Sequence, residues 1–262
     1  IRRQRQMCIR DRYCTMIRFV VVIPARYASE RLPGKPLRDI AGKPMLRYVH
    51  EKGLESDAGQ VIIATDDRRV ADAAEAFGAT VMMTSEEHGS GTERLAEVAR
   101  YYDWPTDMVI VNLQGDEPLM PAQLINQCAA LLVDKGADVG TLASPISSQE
   151  DFENPNVVKV VVDDDGYALY FSRAMVPYAR EVGAMNQARG CALHHHGIYA
   201  YRYKRLQDIV TAKPSRLEVI EKLEQLRALS LGLRIKVGVP ATPPGPSVDT
   251  EDDLAAVESL LS

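Results

Sequence analysis

The sequence predicts an α/β fold: a mostly parallel sheet with helices on both faces and an inserted antiparallel hairpin region. Three observations carry that expectation. From Met16 onward short β-branched runs alternate with amphipathic stretches of helical period, the pattern of successive strand-helix-strand units. The runs themselves, Val20-Val21-Val22-Ile23 and Val109-Ile110-Val111 among them, are continuously apolar, as strands covered on both faces must be. After about residue 150 the rhythm changes, and two strand-like runs are joined by Asp163-Asp164-Asp165-Gly166, a hairpin turn.

In order, strands are expected at 19–24, 61–65, 80–84, 108–113 and 139–145. Between them lie helices at 44–55, at 67–77 with Gly78 as a stop, at 92–101, and at 121–135 ended by Gly136. The hairpin pairs 157–162 with 167–172. Residues 179–193 carry no readable pattern, and a further strand is expected around 198–201. Ser215, with Glu218 at capping-box spacing, opens a helix to about residue 229. A strand at 234–239, a Pro/Gly-rich loop at 240–246 and a closing helix at 250–261 complete the reading.

With 262 residues, 46% of them hydrophobic and 26% charged, one or two domains fit, and the core needs no disulfide or structural metal. We read residues 16–262 as a single domain with an insertion at about 150–215. Residues 1–15 hold five Arg and one Asp, and they lack the apolar core and small-residue cleavage site of a secretory signal. They are read as an extension outside the fold. The formal net charge of -5 argues against a nucleic-acid binder held by phosphate neutralisation. An anionic small substrate therefore needs a local basic site. No apolar run approaches the roughly 20 residues that cross a bilayer. Cys8, Cys14, Cys128 and Cys191 show no paired metal-binding spacing, and a reduced, cytoplasmic setting is expected.

The first strand runs into Pro24-Ala25-Arg26-Tyr27-Ala28-Ser29-Glu30-Arg31-Leu32-Pro33-Gly34-Lys35-Pro36-Leu37. Ligands of open α/β sheets bind beyond the carboxyl ends of strands, where backbone N–H groups with Arg and Lys suit phosphates. The segment reads either as a triphosphate loop or as an ordinary loop with solvated cations. It matches neither G-x-x-x-x-G-K-[ST] nor G-x-G-x-x-G, which disfavours a P-loop kinase and a dinucleotide-binding enzyme. Leu113-Gln114-Gly115-Asp116-Glu117-Pro118 follows another buried-type strand. A carboxylate there suits Mg²⁺, a hard cation that combines one or two carboxylates with phosphate oxygens. Asp116 is the leading candidate; the alternative is that Asp116 or Glu117 serves the turn.

In Val248-Asp249-Thr250-Glu251-Asp252-Asp253, Thr250 and Asp253 read as a helix N-terminus, which leaves Asp249 as a second carboxylate. Two carboxylates from distant segments, meeting at a metal, clamp a phosphoryl group. His88-Gly89-Ser90-Gly91-Thr92-Glu93-Arg94 offers N–H groups and hydroxyls to a nucleobase edge, or is a flexible loop with Thr92 capping the next helix. In His194-His195-His196 consecutive strand side chains alternate faces, so the three cannot all ligate one ion. Arg173 reads as a partner for a carboxylate ligand or as a surface ion pair.

Taken together, Ile23 to Ser29, Arg31 to Leu37, Ser90-Gly91-Thr92-Glu93-Arg94, Gln114-Gly115-Asp116-Glu117-Pro118, Ala168-Leu169-Tyr170-Phe171-Ser172-Arg173, His195 with Gly197-Ile198-Tyr199, Leu223-Glu224-Gln225-Leu226-Arg227 and Val248-Asp249-Thr250 resemble the 3-deoxy-manno-octulosonate cytidylyltransferases, also called CMP-Kdo synthetases. The resemblance spans essentially the whole chain from Met16. It implies a Rossmann-like nucleotidyltransferase sheet and Mg²⁺-dependent transfer of CMP from CTP to the acidic sugar Kdo, with release of pyrophosphate, for Gram-negative lipopolysaccharide synthesis. It implies catalytic roles for Arg26, Lys35, Asp116 and Asp249, with Asp116 and Asp249 as the metal ligands. Nucleotide contacts are implied at Ala25, Arg26, Lys35, Ser90, Gly91 and Asp116, and sugar contacts at Gln114, Arg173, His195, Glu221, Glu224 and Gln225. Arg173 is then a charge partner for the sugar's carboxylate. The family uses no covalent nucleophile, so metal and positioning carry the rate.

The implied small-molecule partners are CTP and Kdo, without nucleic acid or membrane insertion, and the family habit is a homodimer through the inserted region. His196 departs from the family, which commonly has an apolar residue there, and residues 179–193 match no usable pattern; both adjoin the expected sugar pocket. Intact Gln114-Gly115-Asp116-Glu117-Pro118 favours Kdo over its 8-amino relative. The rival readings are the same chemistry on another acidic sugar, such as a sialic acid, and a non-catalytic nucleotide-binding protein. Asp116 and Asp249 together count against the second.

Overall fold

The computed structural model describes residues 18–29, 31–181 and 183–261, so the expectation for residues 1–15 lies outside the described residues. Strand β1 (Phe19–Ala25) is buried at every position. Its side chains alternate: Phe19, Val21, Ile23 and Ala25 enter one core and Val20 and Val22 the other. A short hairpin, β2 (Asp39–Ile40) and β3 (Lys43–Pro44), leads into α1 (Met45–Leu54). Then β4 (Val61–Thr65), α2 (Arg68–Ala76), β5 (Thr80–Met83), α3 (Gly91–Tyr101), β6 (Val109–Asn112), α4 (Ala122–Ala130) and β7 (Val139–Pro145) repeat the strand-helix unit. The inserted region holds α5 (Gln149–Glu153), β8 (Lys159–Val162), β9 (Ala168–Ser172), α6 (Met185–Gly190) and β10 (Ala192–Arg202). Helices α7 (Tyr203–Thr211), α8 (Arg216–Glu221) and α9 (Gln225–Ser230), strand β11 (Ile235–Gly238) and α10 (Glu251–Leu261) follow.

Among the described residues nine strands make one sheet in the order β11-β7-β10-β6-β1-β4-β5, with β8 and β9 joined through β10. β1 is parallel to β4 and β6, β4 to β5, and β11 to β7. β10 runs antiparallel to β6, β7 and β8, and β9 antiparallel to β8. The expected mostly parallel sheet is present, and the antiparallel part belongs to the insertion. Leu46, Val70 and Leu124 from α1, α2 and α4 cover one face; Leu95, Leu206 and Leu226 from α3, α7 and α9 cover the other. Asp67 caps α2 by accepting from Arg69 N at 2.9 Å, and Gly78, at φ 85°, follows its end as expected. No helix among the described residues is long and apolar enough to cross a membrane.

Four expectations need correction. The helix expected over 215–229 is two: the capping box of Ser215 and Glu218 forms, but Lys222 turns left-handed at φ 54° and separates α8 from α9. The break turns Leu223 into the core and frees Glu224 to reach the start of α3. The helix expected over 121–135 stops at Ala130 and tightens into a 3-10 turn, Leu131–Val133. α3 begins one residue early because Ser90, not Thr92, is its cap, accepting from Glu93 N at 3.3 Å. β10 starts at Ala192, well before residue 198, and a register shift between His196 and Tyr199 interrupts its pairing with β7.

Candidate active site

The carboxyl ends of β1 and β6 open into a cleft of about 230 Å³ whose walls include Ala25, Arg26, Lys35, Gly91, Gln114 and Asp116. Two glycines shape it. Gly34 sits at φ +67°, a conformation that L side chains rarely adopt, and starts the 3-10 turn that carries Lys35. A Cβ on Gly115 would stand 2.9 Å from the Pro24 carbonyl, so glycine there lets the loop after β6 press on the end of β1. Asp116 O accepts from Val248 N at 2.9 Å, which fastens the segment carrying Asp249 alongside. Asp253 Oδ2 accepts from Thr250 N at 2.8 Å and Asp249 N at 3.0 Å, so Asp253 serves the start of α10 and leaves the Asp249 carboxylate to the site.

The two carboxylates meet at one point. Lys35 Nζ donates to Asp116 Oδ2 at 2.7 Å and to Asp249 Oδ1 at 2.8 Å; Arg31 Nη2 lies 3.0 Å from the same Asp249 oxygen. Burial alone would depress the Lys35 ammonium, but the charges and hydrogen bonds of Asp116 and Asp249 outweigh it and hold its pKa above the ordinary lysine value. Glu117 shows the reverse. Burial, with Asp116 and Asp249 adding, pushes its carboxyl up to about 8. Two hard oxygen donors aimed at a common cationic point suit Mg²⁺, which takes one or two carboxylates and completes its octahedron with phosphate oxygens and water. Among the described residues no group of three or more His, Cys, Asp or Glu converges on a metal position.

Arg26 is held from behind. Its Nη2 donates to His88 O at 2.7 Å, and its Nε lies 3.7 Å from Asp66 Oδ2, which also accepts from Arg94 Nη2 at 2.6 Å. Arg94 is fully buried. Sequence reasoning missed the role of Asp66; its signal was its place directly after β4, the parallel neighbour of β1. Ser90 Oγ and Thr92 Oγ1 donate to the two Glu224 oxygens at 3.0 and 2.7 Å. Burial raises the Glu224 pKa, and those hydroxyls oppose the rise. Glu224 and Gln225, implied as sugar contacts, border a small interior cavity with Thr92, Tyr199 and Tyr201. They are among the wall residues of neither the cleft of Lys35 nor the larger cleft around Arg173, because the Ser90 and Thr92 hydroxyls hold the Glu224 carboxylate at the start of α3.

A second, larger cleft of about 1060 Å³ includes Asp249, Glu117, Arg173 and His195 in its walls. The strand splits the three histidines as expected. His195 Nε2 bonds Thr141 Oγ1 at 3.1 Å and its ring meets Phe171 edge-on at 5.1 Å, whereas His196 Nε2 bonds Ser144 Oγ at 2.7 Å and lies 5.0 Å from the His194 ring. Burial, then the neighbouring histidines, depresses His195 to about 3, and burial with His194 depresses His196 to about 4, so both are neutral at physiological pH. Arg173 is gripped by backbone: Nε donates to Glu221 O at 2.7 Å and Nη1 to Pro155 O at 3.0 Å. Glu221 accepts from Ser172 Oγ at 2.8 Å and Arg173 N at 2.9 Å, so its carboxylate underpins the segment rather than pairing with the guanidinium.

The family model described as cytidylyltransferase matches residues 20–235. A 3-deoxy-manno-octulosonate cytidylyltransferase of Yersinia enterocolitica is 53% identical over 245 residues, covering 93% of this chain and 98% of the relative. One of Vibrio campbellii is 52% identical over 247 residues with the same coverage. Among solved structures, CMP:2-keto-3-deoxy-manno-octonic acid synthetase complexed with CTP has a TM-score of 0.85 at 43% identity, over 93% of this chain and 98% of that one. A cytidylyltransferase from Leptospira borgpetersenii, at 16% identity and a TM-score of 0.60, shares the fold. On a family model that spans most of its length and relatives more than half identical over 93% of it, the chain belongs to the cytidylyltransferase family, among the 3-deoxy-manno-octulosonate cytidylyltransferases.

Proposed function

We propose that this chain transfers CMP from CTP to 3-deoxy-manno-octulosonate, releasing pyrophosphate, where its two clefts meet. The observation that carries this reading is the convergence of Asp116 and Asp249 on one cationic point, with Asp116 in the wall of the smaller cleft and Asp249 in the wall of the larger. The triphosphate takes the smaller cleft, where Arg26 and Lys35 offset the charge of the departing pyrophosphate. Arg26 needs little reorganisation because His88 O already holds it. The sugar takes the larger cleft, with its anomeric hydroxyl facing the α-phosphorus. Mg²⁺, held by Asp116 and Asp249 together with phosphate oxygens, would supply charge neutralisation and orientation at the reacting phosphate. Arg173, which among the described residues pairs with no carboxylate side chain, receives the sugar's carboxylate, and neutral His195 offers a hydrogen bond rather than a charge.

A homodimer through the inserted region and the helix just past it fits the apolar surface there: β9 leaves Leu169 62% exposed, and α8, beyond the insertion, leaves Val219 and Ile220 exposed. Titration with Mn²⁺ in the presence of CTP, followed by electron paramagnetic resonance, tests the metal assignment. Asp249→Asn is expected to weaken Mn²⁺ binding at least about tenfold, the loss of one charged ligand; binding equal to that of the unsubstituted chain would overturn it.

A further inference from the structure

Lys159 on β8 is a cation with no solvent exposure. Burying a charge is costly unless its hydrogen bonds are satisfied. Here each of the three ammonium N–H donors has a backbone carbonyl: Asn154 O at 2.9 Å, Val157 O at 2.8 Å and Arg173 O at 2.7 Å. A tripod of this kind suits an ammonium and not a planar guanidinium. The three carbonyls belong to two segments that wall the larger cleft, the loop around 154–158 and Arg173 after β9. The same loop supplies Pro155 O to Arg173 Nη1. Lys159 therefore lies under the joint between the loop and the residue assigned to the sugar's carboxylate.

The local charges point the same way. Burial is the main influence lowering the Lys159 pKa, Arg173 adds to it, and Glu221 opposes it. Lys159, Arg173 and Glu221 together leave one net positive charge in a chain of formal charge -5. An apolar side chain here would leave Asn154 O, Val157 O and Arg173 O without this donor, so the ammonium ties the two segments together.

We propose that Lys159 is a positioning residue for the acidic sugar, locking the 154–157 loop to Arg173 and keeping that wall of the cleft cationic. This rests on the reading that Arg173 receives the sugar's carboxylate. The test is steady-state kinetics with CTP and Kdo varied separately. Lys159→Met is expected to raise KM for Kdo about tenfold, the worth of one weakened charge-assisted contact, while KM for CTP moves less than about twofold. Lys159→Gln keeps two N–H donors without the charge and covers a failure of the Met variant to fold; it too is expected to raise KM for Kdo. An unchanged KM for Kdo in a folded variant overturns the proposal, as do equal rises for both substrates. Arg173→Met separates the two readings: if it leaves KM for Kdo unchanged, the carboxylate reading fails, and if it raises KM while neither Lys159 variant does, only the Lys159 proposal fails.

Discussion

Replacing Lys35 by Met removes the charge between Asp116 and Asp249 while keeping most of the stem. Both carboxylate oxygens lie within hydrogen-bond distance of the same Nζ, at 2.7 and 2.8 Å. Two bare carboxylates about 5 Å apart at an effective dielectric constant of about 20 repel by about 3 kcal/mol. Asp249 is 37% exposed and Arg31 still serves it at 3.0 Å. Solvent and Arg31 therefore cut the net loss to about 1–2 kcal/mol. For a chain of this size that lowers Tm by about 2–8 °C. Thermal unfolding with and without Mg²⁺ is the assay. A divalent cation does the electrostatic work of the missing ammonium, so Mg²⁺ is expected to recover most of the deficit of Lys35→Met and to raise the Tm of the unsubstituted chain less. A variant as stable as the parent without divalent cations, or a deficit that Mg²⁺ leaves untouched, would refute the reasoning.

The buried histidines set a pH dependence. His195 and His196 have folded-state pKa values of about 3 and 4, below the ordinary 6.5 of the unfolded chain. The unfolded chain therefore takes up protons first, and stability that is complete above pH 6.5 is lost as pH falls toward 4, by about 2 kcal/mol per histidine at pH 5. His196→Leu is expected to shrink the fall in Tm between pH 7.5 and pH 5; identical falls for variant and parent would count against the burial assigned to His196. Glu224→Ala leaves the Ser90 and Thr92 hydroxyls without their acceptor at the start of α3 and is expected to raise KM for CTP about fivefold with little change for the sugar. The opposite split in KM would place Glu224 at the sugar.

The sheet was legible because its strands are buried on both faces and therefore read as unbroken apolar runs, as in β1, where all seven positions are buried. Asp116 and Asp249 were legible because each stands just outside a recognisable element, the first past a strand end and the second before a capped helix. What the sequence hid was set by contacts distant along the chain. Lys222 looks like an ordinary helical residue, and its left-handed turn becomes intelligible only with Leu223 in the core and Glu224 against α3. α7 follows β10 with no capping side chain to mark its start. Lys159 has no sequence signal at all, because its partners are backbone carbonyls that the fold brings together. Glu221 and Arg173 were both marked, but that the carboxylate bonds the Arg173 backbone N–H while the guanidinium takes carbonyls required the packing.

The most direct test of the central claim is pyrophosphate release by the full chain with CTP, Mg²⁺ and Kdo, run beside a sialic acid, the other nucleoside triphosphates, an EDTA control and Asp116→Asn. Rapid release is expected only with CTP, Kdo and metal together, with a loss of at least about two orders of magnitude in kcat for the variant, the scale of losing a group that acts on the reacting phosphate. Release that survives EDTA or the Asp116→Asn change would contradict the carboxylate site, and turnover with a sialic acid but not with Kdo would contradict the assignment of the sugar.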